Sequence, residues 1–248
     1  MRKSTVISTS FLCLFALALA GFPCRAQSSD SGKSALLVYK PPLRGAPAGG
    51  GRIAAAVRGK GSSGPTLIAL APNDIGAVSR PQPVIYWYVS GASKCHVSFT
   101  INDEMHQDTL VDTELPSPGQ AGTYAIRLAD YNVKLSPGVV YKWFVTLQVD
   151  PSQPSKDVYS GGNIMYTAPS PDLASKVQAA SAGHLPALYA QNGFWYDAFD
   201  AAWATGKNGV PREFRVSLLK QVNFGVPDPG KDPVTLAGEK ALLRFVAR

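Results

Sequence analysis

The run LSPGVVYKWFVTLQV, from Leu135 to Val149, decides the fold. Beyond Val139 its side chains alternate: Tyr141, Trp143, Val145 and Leu147 fall on one side, with Lys142, Thr146 and Gln148 opposite. Successive residues of a strand point to opposite faces, so this pattern specifies a strand with one buried face. Pro137-Gly138, just ahead of it, is a turn signal that no helix would carry in its interior.

Working outward, the same period recurs between Thr66 and Ala168. The expected strands are TLIAL (66–70), PVIYWYV (83–89), CHVSFTI (95–101), HQDTLVDTEL (106–115), TYAIRL (123–128), VVYKWFVTLQV (139–149) and DVYSGGNIMYT (157–167). The last, interrupted by two glycines, is expected at a sheet edge. Short strands with turn residues between them over about 100 residues argue a β-sandwich. LSPGVVY resembles the tyrosine corner of fibronectin type III-like domains, in which a tyrosine hydroxyl bonds back to the backbone at an inter-sheet corner. The resemblance implies an immunoglobulin-like sandwich and no particular function.

After Ala168 the period becomes helical. Asp172 is the expected N-cap of a helix ending by Gly183, and a second helix starts near Pro186 and breaks at Asn192-Gly193. Trp195, Ala198, Phe199, Ala202 and Trp203 then form a core-facing stripe on a helix from Phe194 to about Thr205. Pro211–Val222 reads as a further helix, and LAGEKALLRFVAR beyond Pro229 as a short helix or a disordered tail. LYAQNGFWYDAFDAA resembles one tetratricopeptide-like turn, but a single copy cannot stand alone, so docking on the sandwich is expected rather than a peptide groove. The fold class is therefore mainly β with C-terminal helices: an immunoglobulin-like sandwich followed by a small tetratricopeptide-like helical segment. Its divisions are leader 1–26, basic linker 27–65, sandwich 66–168, helical segment 169–225 and tail 226–248.

The leader has the three parts of a secretory signal: Arg2-Lys3, the apolar run Phe11–Ala20, and small residues before cleavage at Ala26 or Ala20. The apolar run is too short for a membrane span. A secreted or periplasmic location is expected. Cleavage after Ala26 leaves Cys95 alone, with the parity of Val97, Phe99 and Ile101, so it is expected in the core.

The net charge of +7 has a location. Lys40, Arg44, Arg52, Arg58 and Lys60 lie between Lys40 and Pro65 among seven Gly and four Pro, with no acid. Residues 66–248 are net −1. A nucleic-acid binder would carry the charge on its fold, so no nucleic-acid partner is expected. The 27–65 segment reads as a solvated linker with weak electrostatic contact to anionic surfaces.

Chemistry is sparse. His96, His106 and His184 form no metal-ligand spacing, and neither a G-x-S-x-G elbow nor a P-loop occurs. Asp103, Glu104, Asp108, Asp112 and Glu114 lack a calcium-loop pattern and read as an edge that discourages strand pairing. No catalytic, cofactor or metal residue is assigned. The candidate interaction surface is aromatic: Tyr86, Tyr88, Phe144, Trp195 and Tyr196. One face of the 83–89 strand must be covered by helices, by a partner or by a ligand. A non-enzymatic envelope interaction module is the first expectation, with an envelope protein or polysaccharide as partner. A carbohydrate-binding module using Tyr86 and Tyr88 is the second, and a hydrolase or thiol protein the third.

Taken in order, GGGR (49–52), TLIALAPND (66–74), RPQPVIYWYV (80–89), LSPGVVYKWFVTL (135–147), DPSQPSKDVYSGG (150–162) and ALYAQNGFWYDAFD (187–200) are similar to the domain-of-unknown-function family numbered 928, which is mainly cyanobacterial. That resemblance implies a secreted protein with no assigned activity, and it supplies no site residues.

Overall fold

Strand β8, Val140–Gln148, is the centre of the larger of two sheets in a computed structural model of the protein. The structure describes residues 38–42, 52–57, 64–103, 105, 108–204, 212–224 and 233–247, with the backbone alone at 54–57 and 233–235. All belong to one unit, Ser34–Arg248. The leader, and residues 27–37, 43–51 and 58–63 of the basic segment, lie outside the described residues.

Nine strands are described: β1 Ile53–Val57, β2 Leu67–Ala69, β3 Ile75–Val78, β4 Val84–Val89, β5 His96–Asp103, β6 Thr109–Leu115, β7 Gly122–Arg127, β8, and β9 Val158–Tyr166. The larger sheet runs β1-β9-β8-β5-β6, with β3 added parallel to β9; the smaller is β2-β4-β7. The chain leaves the small sheet after Ala69 and joins the large one at Ile75, across Pro72, which cannot donate to a ladder. Val97, Phe99, Ile101, Tyr141, Trp143, Val145 and Leu147 are all buried, as their parity requires. Cys95 does not follow them. It lies in the bend ahead of β5 and is half-buried.

At the inter-sheet corner the Ser136 N–H donates to the Tyr141 hydroxyl at 3.1 Å, while Gly138 supplies the turn at φ 75°. The link between the Tyr141 hydroxyl and the backbone that LSPGVVY suggested is present.

Strand β9 is not an edge. It pairs with β1, β8 and β3, and its glycines answer to packing. A Cβ at Gly162 would run into the Ala71 side chain of the segment above, and one at Gly161 into the Trp143 carbonyl. The glycines that look like strand-breakers are what allow β9 to lie in mid-sheet.

Five helices follow: α1 Pro171–Ala179, α2 Leu185–Gln191, α3 Trp195–Ala204, α4 Arg212–Gln221 and α5 Pro233–Val246. Ser170, not Asp172, caps α1. Its hydroxyl accepts from Leu173 N, because Pro171 suits the first helical position, where no N–H is needed. The expected stripe of α3 is buried as far as Ala202, with Trp203 half-buried; Tyr196 and Asp197 on the other sides are buried too, which makes the first turns of α3 interior. Within the tail, Pro233–Val246 is helix α5, whose Leu242 and Val246 belong to the core.

The 27–65 segment is not wholly a solvated linker. Ile53–Val57 pairs with β9 as strand β1, and the Arg52 side chain is only 3% exposed. Its guanidinium meets the buried Glu239 carboxylate of α5 at 3.0 Å and lies 3.7 Å from the centre of the Phe224 ring. Burial lowers the Arg52 pKa to about 10, and Glu239 opposes that shift.

Candidate functional site

Four of the five aromatic candidates do not face solvent. Tyr86 and Tyr88 stand on the side of β4 that meets the helices. Tyr86 packs against Phe199 and Trp203 of α3, and Tyr88 against Phe245 of α5. Ile85, Trp87 and Val89 on the opposite side are also buried. Both faces of the small sheet are therefore covered, one by the large sheet and one by helices. Trp195 is buried with its indole N–H donating to the Leu70 carbonyl at 3.1 Å. Tyr196 passes over Gly76, accepts from Trp143 Nε1 at 2.8 Å and donates to the Asn163 carbonyl at 3.0 Å. Burial raises the Tyr196 pKa, as expected for a phenol kept neutral inside a core. These rings cannot form an exposed platform: sequence alternation cannot tell a solvent-facing aromatic from one that receives a second layer.

The polar groups around them fasten α3 to the sheets. Asp197 is 1% exposed, accepting from Ser79 N at 2.6 Å and Ser79 Oγ at 2.8 Å. Asp200, one turn on, accepts from the Tyr86 hydroxyl at 2.7 Å and from Arg80 Nη2 at 2.6 Å. Loss of hydration raises the Asp197 pKa, while the Ser79 donors and Arg80 pull it back. Every carboxylate oxygen in this cluster has a structural partner.

Phe144 is the exception among the candidates. It is half-buried on the outer face of the large sheet, where strand register places side chains in two transverse rows. Asp112, Thr100, Phe144 and Gly161 stand opposite one another on β6, β5, β8 and β9. Glu114, Ser98, Thr146 and Tyr159 form the next row. Neighbouring strands lie about 4.8 Å apart, so the first row leads from a carboxylate across one hydroxyl to an aromatic ring, and the second across two. Gly161 leaves room beside the Phe144 ring, which meets Tyr159 edge-on at 6.1 Å. A cleft of about 490 Å³ opens at the carboxylate end, lined by His96, Ser98, Thr100, Asp112, Glu114 and Gln148. It offers acceptors and hydroxyls on a rigid sheet, with Asp112 and Glu114 its two carboxylates. The hydroxyls were individually unremarkable in sequence, and Asp112 and Glu114 read there only as an edge that discourages strand pairing. Only cross-strand register collects them.

Among the described residues no group of three or more His, Cys, Asp or Glu could hold a metal ion, and no helix is long and apolar enough to cross a membrane.

A family model described as Domain of Unknown Function (DUF928) matches residues 53–225, well over half the chain. The chain belongs to the DUF928 family. No curated protein and no solved structure matches it. The DUF928 stretch contains both sheets and four helices, with the whole outer face of the large sheet. Arg52 and Glu239 fall on either side of it.

Proposed function

We propose that this DUF928 protein is an exported, non-enzymatic interaction module that binds an envelope partner through the outer face of its large sheet. The observation that carries the proposal is the cleft of about 490 Å³ beside the two carboxylate–hydroxyl–aromatic rows. Among the described residues the main helix contacts are with β2, β3 and β4, which supports a partner on this face. Export rests on the three-part leader. An immunoglobulin-like assignment is supported by the order β2-β4-β7 against β6-β5-β8-β9 and by the Tyr141 corner.

A polysaccharide is the form of partner that the rows favour over a protein. An aromatic ring suits the apolar face of a sugar, and carboxylates and hydroxyls accept from its hydroxyl groups, the usual mix of a small-ligand site. The binding face is not the Tyr86/Tyr88 face, which the helices occupy.

The test is retention of the mature chain on isolated envelope material, compared with a Thr100→Arg/Thr146→Arg variant. Both positions lie mid-row with partly accessible side chains, so the fold should tolerate the change. Retention of the unaltered chain and at least a tenfold loss in the variant is the expected result. Equal retention, or none by either, refutes the proposal.

A further inference from the structure

Residues 38–42, Val-Tyr-Lys-Pro-Pro, cross the helices outside any strand or helix, with Lys40 and Pro41 biased to extended backbone by the prolines that follow them and a bend at Pro42, and their contacts are those of a bound peptide. The Tyr39 N–H donates to Gln221 Oε1 of α4 at 2.7 Å. The Gln221 amide is turned for this by its own Nε2, which donates to Ser217 O at 3.2 Å and Ser217 Oγ at 3.1 Å. The Lys40 N–H donates to the Ala190 carbonyl at 3.0 Å, in the last turn of α2, an oxygen that also accepts from the Gly193 N–H at 3.1 Å. The Tyr39 ring is buried and stands edge-on against Trp195 at 5.1 Å, while Val38, Lys40, Pro41 and Pro42 stay exposed. Inside the pocket the Tyr39 hydroxyl has no hydrogen-bond partner.

The turn between α2 and α3 is shaped for the segment. Gly193 has φ 85°, and a Cβ there would stand 2.9 Å from the Lys40 carbonyl and 3.1 Å from the Pro42 ring. Beside Gln221 the surface opens into a cavity of about 580 Å³ along α4, lined by Val216, Ser217 and Lys220 among others. The receptor side is thus one aromatic pocket, one oriented amide, one helix-end carbonyl and one side-chain-free turn. Two of its backbone contacts read any extended chain. The pocket and the Gly193 passage select an aromatic residue followed, two positions on, by prolines that hold the chain extended.

We infer that α2, α3 and α4 form a recognition site for extended aromatic–x–Pro–Pro peptides, occupied in this protein by its own residues 38–42. A tethered segment competes at high effective concentration, so an external peptide gains access only when the tethered copy is weakened.

The test uses a labelled synthetic peptide of residues 38–42 and fluorescence anisotropy. Tyr39→Ala in the full mature chain is expected to bind the peptide at least tenfold more tightly than the unaltered chain. Adding Gln221→Ala to that variant is expected to abolish the gain. A second measurement needs no variant: excess peptide should accelerate amide hydrogen exchange at Lys40 by displacing the tethered segment. Equal peptide affinity for a folded Tyr39→Ala chain and the unaltered one overturns the inference. If Tyr39→Ala does not fold, unchanged exchange at Lys40 under saturating peptide overturns it.

Discussion

Replacing Arg52 by Met removes the cation from a buried pair whose side chains are only 3% and 1% exposed. The Glu239 carboxylate then stays in the interior without the Arg52 cation. Breaking one side of a buried ion pair costs about 3–5 kcal/mol, several times the worth of an exposed pair, because desolvation of the remaining charge is no longer offset. The stacking of the guanidinium on Phe224 and its 3.5 Å bond to the Val222 carbonyl disappear as well. For a domain of this size each kcal/mol corresponds to about 2–4 °C in Tm, so a fall on the order of 6–20 °C is expected. Arg52→Met/Glu239→Leu removes both charges, and its stability should return to within about 2 kcal/mol of the unaltered chain. Urea unfolding of all four members of the cycle measures the coupling directly. An Arg52→Met cost below about 1 kcal/mol, or a double variant worse than either single one, would refute the docking of this segment.

Three further outcomes follow from single contacts. Tyr141→Phe removes the acceptor for the Ser136 N–H and should cost about 1 kcal/mol, read as a lower urea midpoint with an unchanged slope. Gly162→Ala forces a methyl into the Ala71 side chain and should cost about 1–3 kcal/mol or more, whereas Gly119→Ala, with open space around it, should lie within about 0.5 kcal/mol of the parent. Asp197 has a folded-state pKa above its unfolded value, so its contribution is full below the unfolded pKa and is lost as pH rises through the folded one. The stability difference between the unaltered chain and Asp197→Asn should therefore shrink as pH is raised from about 4 to 7. A difference that grows over that range contradicts the assignment of burial as the dominant cause.

The strands that alternate strongly, β4, β5 and β8, were legible because each carries enough β-branched and aromatic residues to show its period. Strands β1 and β3 were not. IAAAV and IGAV are short, weakly patterned runs among glycines, and they become strands only because β9 offers both an antiparallel and a parallel partner. Arg52 looked like a linker charge since its partner lies 187 residues away, beyond any local signal. The glycines of β9 suggested an edge for the same reason: what they accommodate, Ala71 and Trp143, is tertiary. The candidate face was half visible. Phe144 was nominated as one of several closely spaced aromatics, but so were Tyr86 and Tyr88, and only the docked helices separate the two cases.

The accessibility of the aromatic side chains distinguishes the outer face of the large sheet from the Tyr86/Tyr88 face as the surface that binds. Hydroxyl-radical footprinting of the chain without residues 1–26, free and on envelope material, reads each ring separately. The expected pattern has Phe144 and Tyr159 modified in the free protein and protected on binding, with Tyr86, Tyr88, Trp195 and Tyr196 protected in both states. Modification of Tyr86 or Tyr88 in the free protein, or binding that leaves Phe144 and Tyr159 fully reactive, would contradict it.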